Sequence, residues 1–178
     1  HAMKAGKDVY CEKPACLTMA QGQAVRETAR TYGRVFQTGA QRLSEPNHVF
    51  AFEMARSGRL GKIDTVYADC RWRGGYRLDW LPAEPLPERD EVDWDLWLGP
   101  SPWRPFNRGY LSSSHWYNFH DLATDVAMWG SHTIAQCLAG IRLPEDRTVD
   151  IVYDPSPSAD LSVHFADGLK MVLFRGFG

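Results

Sequence analysis

Asp8-Val9-Tyr10-Cys11-Glu12-Lys13-Pro14 is a short run that leans toward extended backbone and ends in a carboxylate, an amine and a proline. Valine and tyrosine favour strands, and Pro14 brings no N–H to a sheet ladder, so a strand is predicted to stop here. A residue before proline is pushed out of helical geometry. Lys13 is therefore expected at a strand's carboxyl end, which is where open α/β sheets bind ligands. A partly buried amine at such a place can donate charge or move a proton; at the surface it is one more solvated lysine.

The neighbouring residues support a strand here. Residues 1–7 read as the end of a helix, with Gly6 as its stop signal. Thr18 stands where an N-cap would begin a helix over residues 19–30, and Gly33 closes it. Residues 35–38 form a second predicted strand. Gly39 to Pro46 then lead away from it. Gln41 and Arg42 follow a strand end, so their side chains are expected to face a cleft. Arg42 there suits an anionic or a hydroxylated substrate, or stays a solvated linker arginine.

Further along, a helix is expected over residues 48–57, with Asn47 as its cap and Phe50 and Met54 one turn apart. Residues 63–72 alternate: Val66, Ala68, Cys70 and Trp72 share one face, as in a strand with one buried side. Residues 73–118 hold no period, but their tryptophans argue against disorder. One short helix is expected at residues 93–98, with Trp94, Trp97 and Leu98 on one face. The best helix of the second half is predicted over residues 120–138. It places Leu122, Val126, Trp129, Ile134 and Leu138 on a packed face, and sets Asp121, Asp125 and His132 near one another. Two alternating runs follow, at residues 149–153 and 161–165. Asp167-Gly168 then signals a hairpin into a last strand.

Composition narrows the function. The 178 residues carry a net charge of −2, which gives no sign of a nucleic-acid or membrane-surface partner. No apolar run is long enough to cross a bilayer. Cys11, Cys16, Cys70 and Cys137 lack metal-type spacing and are read as small core residues, so no metal is expected. The chain opens on His1 and holds no G-x-G-x-x-G, so we expect an internal part of a longer protein, cytoplasmic, with a leader upstream left open.

Several segments in this order resemble the Gfo/Idh/MocA oxidoreductases. They are Ala5 to Pro14, Arg56-Ser57-Gly58-Arg59-Leu60-Gly61-Lys62-Ile63, Trp94-Asp95-Leu96-Trp97-Leu98-Gly99-Pro100 and Trp129-Gly130-Ser131-His132. The resemblance implies an α/β fold: the C-terminal part of a Rossmann domain at residues 1–42, then an incomplete α+β domain with a mostly antiparallel sheet at residues 43–178. It implies NAD or NADP, with Glu12, Lys13 and Pro14 at the nicotinamide end, and Lys13 and His132 for catalysis. Arg42, Trp103, Arg104 and Tyr110 would shape the substrate pocket, since aromatic faces and an arginine suit a sugar ring. The family's aspartate, four residues before the histidine, is Met128 here, and Asp125 stands about 10 Å along the axis from His132. The implied activity of the full-length protein is oxidation or reduction of a hydroxyl on a sugar, inositol or related polyol, with this chain alone inactive. A glycoside hydrolase that retains its NAD, and a non-catalytic member, are the alternatives. A homo-oligomer formed through the C-terminal sheet is also expected, and a sheet left incomplete at residue 178 would carry an unpaired edge that invites aggregation.

Overall fold

Val9–Cys11 (β1) and Phe36–Thr38 (β2) lie in parallel, with Val9 opposite Phe36 and Cys11 opposite Thr38. The computed structural model describes residues 1–70, 79–112, 116–123, 126–143, 148–153 and 161–174. They belong to two compact units, one made of His1–Arg73 with Val126–Gly178 and the other of Gly74–Asp125.

In the first unit the β1–β2 pair is joined by helix α1, Met19–Thr31. Thr18 caps it as expected, its hydroxyl accepting the Gln21 N–H at 3.2 Å. Asp8 accepts the Val35 N–H at 2.8 Å and pins the start of the ladder. The Gly39 N–H continues it by donating to the Cys11 carbonyl at 2.8 Å. The next helix, α2, runs over Pro46–Arg56. Its N-cap is Glu45 and not Asn47. Pro46 takes the first helical position, where a missing N–H costs nothing, and this moves the start forward.

A four-stranded sheet also belongs to this unit. Its strands are β3 (Thr65–Asp69), β4 (Val149–Tyr153), β5 (Leu161–Phe165) and β6 (Lys170–Phe174), in the spatial order β3-β6-β5-β4. β3 and β6 are parallel, and the other two pairs are antiparallel. The sheet is therefore mostly antiparallel, as expected. The alternation in β3 holds: Ala68 and Cys70 are buried while Tyr67 is exposed. Trp72 lies outside the described residues. The buried face joins Ala68, Cys70, Ile141, Leu169, Met171 and Leu173, backed by Ile134 and Leu138. Burying one such large apolar side chain contributes about 1.5–3 kcal/mol. Cys70 and the half-buried Cys137 belong to this core, but Cys16 is exposed in the loop before α1, contrary to the expectation of four core cysteines.

The long helix predicted over residues 120–138 does not form as one piece. Val126–Gly130 is a π-helical turn, and regular helix (α4) covers only Ser131–Gly140. Two contacts hold this junction to the sheet. Thr133 donates its hydroxyl to the Asp69 carbonyl at 2.9 Å, and Gly130 lies against Cys70. A Cβ on Gly130 would stand 3.0 Å from the Cys70 sulfur. Gly130→Ala is expected to cost about 1–3 kcal/mol through overpacking. Urea unfolding of the variant against wild type would measure it.

The second unit has an aromatic core. Helix α3, Trp94–Leu98, is capped by Asp93, whose carboxylate accepts the Leu96 N–H at 3.0 Å. Trp94 and Trp97 stack at 4.8 Å, and Phe106 meets Trp94 edge-on at 5.2 Å. Trp94, Leu98, Phe106, Tyr110 and Phe119 close the cluster. The tryptophan stripe thus packs the interior.

Candidate functional site

Glu12, Lys13 and Pro14 follow the last residue of β1, and the Lys13–Pro14 peptide is cis. The Glu12 carboxylate accepts the Lys13 N–H at 3.3 Å and a bond from the Gln41 side-chain amide. It packs over Gly39, where a Cβ would stand 2.9 Å from its nearer oxygen. Glycine at position 39 is what lets the acid fold back, a requirement its position after a strand did not reveal. Gln41 and Arg42 sit on the 3₁₀ turn Gln41–Ser44, which starts directly beyond.

The π turn and α4 supply the facing side chains. Lys13 Nζ lies 3.8 Å from Met128 Sδ, so the position where an acid was expected does stand beside the lysine. A thioether is a weak acceptor, and the ammonium has no other hydrogen-bond or ion-pair partner among the described residues. The Arg42 guanidinium carbon is 5.5 Å from the centre of the Trp129 ring. Trp129, assigned from the sequence to a packed face, is instead 43% exposed and forms a platform under Arg42. Only the π turn and the path of the chain after β2 bring those two together, so no local pattern could have paired them.

His132 is half-buried beside Trp129, with ring centres 6.4 Å apart. Its Nδ1 is enclosed and has no hydrogen-bond partner among the described residues. Burial holds the imidazole below its usual pKa. The positive charges of Lys13 and Arg42 lower it further, and Glu12 and Glu45 oppose them. Glu45 itself is turned to His48, at 2.9 Å. Lys13, Glu12, Arg42 and His132 therefore share one neighbourhood in the first unit. Its chemistry is a lysine ammonium without a carboxylate partner among the described residues, a guanidinium over an indole ring and a neutral imidazole.

The other three candidates belong to the second unit. Trp103 is 65% exposed and borders a groove of about 380 Å³ with Leu86 and Pro105. Arg104 and Tyr110 are both 0% exposed. Arg104 is paired with Asp121, and the Tyr110 hydroxyl accepts the Leu81 N–H at 2.7 Å. A substrate could reach either only by displacing those neighbours. Asp121 is thus engaged within its own unit, and Asp125 lies outside the described residues.

No family model matches the chain, and no curated protein matches it. Solved structures do. An NAD-binding protein from Listeria innocua aligns with a TM-score of 0.54 at 16% identity, over 99% of this chain and 44% of its own. An inositol dehydrogenase homolog from Azotobacter vinelandii, in complex with NADH and myo-inositol, gives 0.53 at 19% identity, over 97% of this chain and 39% of its own. An aldose-aldose oxidoreductase from Caulobacter crescentus, complexed with glycerol, gives 0.54 at 20%, over 97% of this chain and 44% of its own.

The chain has the fold of NAD-binding oxidoreductases.

It spans less than half the length of these neighbours. At such identities the likeness is one of fold, and a fold does not by itself fix a function. Within this α/β fold, Glu12, Lys13 and Pro14 occupy the end of β1 at which ligands of such sheets bind.

Proposed function

We propose that the protein containing this chain is an NAD(P)-dependent dehydrogenase acting on a hydroxyl of a sugar, inositol or related polyol. The observation that supports this best is the shared neighbourhood of Lys13 and His132, marked by the Lys13–Met128 contact and by the effect of the Lys13 charge on the imidazole. The residues present suit the nicotinamide end of the cofactor. The Lys13 ammonium, whose one side-chain partner among the described residues is a thioether, is left to meet polar ligand groups, and Glu12 and Pro14 flank it. When bound, the nicotinamide supplies the hydride acceptor. The protein's part is position and proton handling. Lys13 stabilises the alkoxide that develops on the substrate oxygen. His132, neutral at neutral pH, takes the hydroxyl proton as general base. Met128 carries no proton, so the imidazole does this without an acidic partner at that position.

This assignment has a pH signature. The base works only when unprotonated, so kcat/KM should fall as pH drops through the His132 pKa. That pKa lies below the ordinary 6.5, and the acidic limb should lie below it too. Arg42→Gln removes one of the charges that lower it, and should move the limb upward. Initial rates across the acidic range in both proteins would measure the shift; an unmoved limb would take His132 or Arg42 out of this role.

Met128 favours one second proposal, a family member that binds a polyol without turning it over. The full-length protein should be assayed with NAD and NADP against neutral and acidic sugars and inositols. Reduced nicotinamide accumulating with any of them supports the dehydrogenase. Glycoside cleavage without reduced cofactor would mean a hydrolase. Binding without either reaction would support the non-catalytic member.

A further inference from the structure

Lys13 and Arg42 are the two cations of this neighbourhood, and neither has a carboxylate partner among the described residues. The nearby acids are occupied. Glu12 is held by the Gln41 amide and the Lys13 N–H over Gly39, and Glu45 faces His48. Met128 stands where a carboxylate would have neutralised Lys13. Unpaired, partly buried cations are costly unless a ligand completes them.

Arg42 is also pre-set for such a ligand. Its guanidinium carbon lies over the Trp129 ring, 5.5 Å from the centre, and Arg42 makes no side-chain hydrogen bond among the described residues. The five N–H donors of a guanidinium lie in its plane, in the fork geometry that matches a carboxylate or phosphate. A lysine in place of Arg42 would lack both the stack and the fork.

We propose that the substrate of this site carries an anionic group, a carboxylate or a phosphate, held by Arg42 with Lys13 beside the reacting hydroxyl. A neutral polyol would offer the guanidinium hydroxyl acceptors but no countercharge, and charge-assisted hydrogen bonds are roughly twice as strong as neutral ones. The proposal rests on the dehydrogenase assignment only for the hydroxyl chemistry; the anion preference stands on the charges. The cofactor's own phosphates are the rival source of negative charge.

The test uses the full-length protein with glucose, glucuronate and glucose 6-phosphate as matched probes. Calorimetry with cofactor saturating should show at least tenfold tighter binding of one of the two anionic sugars than of glucose. Its affinity should weaken as salt is raised from 0.05 to about 0.5 M, because screening acts on the charged contact. Arg42→Gln should remove most of that preference, and Arg42→Lys should recover only part of it. Equal binding of all three probes overturns the proposal. So does a preference that survives in Arg42→Gln, or a variant whose defect is in cofactor affinity and not in sugar affinity. Turnover is read separately. Selective anion binding without reduced nicotinamide would retire the dehydrogenase assignment and leave the anion site standing; turnover of glucose as efficient as that of both anions would do the reverse.

Discussion

Lys13→Ala is expected to lower kcat of the full-length protein by about 10²- to 10⁴-fold, the range lost when one positioned proton or charge donor is removed. The ammonium stands at the end of β1, 3.8 Å from the Met128 sulfur, and among the described residues meets no carboxylate. Its charge is therefore not spent within the protein and is free to act on a developing alkoxide. The loss should fall on kcat more than on substrate affinity, since the alkoxide exists only in the transition state. Lys13→Arg, which keeps the charge but not the shape, should recover a small part. Steady-state kinetics would measure this, and a full-rate Lys13→Ala protein would remove the lysine from the chemistry. Met128→Asp is the informative companion. A carboxylate at that position should pair with Lys13 and offset its pull on His132, moving the acidic limb of the rate profile upward.

Asp121→Ala is expected to destabilise the second unit by about 3–5 kcal/mol, the cost of leaving a buried charge without its partner. Arg104 is 0% exposed and its guanidinium lies 5.5–5.8 Å from the ring centres of Trp80, Tyr110 and Phe119. Those faces attract the cation but supply no acceptor in its plane. Two of its nitrogens, Nε and Nη1, have no hydrogen-bond partner among the described residues, which leaves Asp121 as its ion pair. The double replacement Arg104→Met with Asp121→Leu should recover most of the loss, because apolar side chains of similar volume often replace a buried pair at little cost. Urea unfolding followed by tryptophan fluorescence would report this unit through Trp80, Trp94 and Trp97. A single-variant loss under about 1 kcal/mol would show that the aromatic faces alone hold the arginine.

Local chemistry made much of the fold legible. β1 ends just before the Glu12-Lys13-Pro14 run, Thr18 caps α1, and the alternation of residues 65–70 reports a sheet face. Asp167-Gly168 turns the last hairpin, with Gly168 at φ 88°. Each of these signals lies within a few residues and needs no distant partner. The helix expected over 120–138 is, among the described residues, helical only from Val126, as a π turn followed by α4, and side-chain period does not register the close approach of Gly130 to Cys70 or the bond from the Thr133 hydroxyl to the Asp69 carbonyl.

The candidate site divides the same way. Local pattern was enough to put a lysine just past the first strand, a histidine on the late helix, and Met128 four residues before that histidine. Tertiary structure alone decided that Met128 touches the lysine, that Arg42 stacks on Trp129, and that Arg104 and Tyr110 are enclosed. The physical reason is range. Backbone preference and side-chain period act over one or two turns, whereas the contacts that set exposure and charge pairing here join residues 17 to 115 positions apart in the chain.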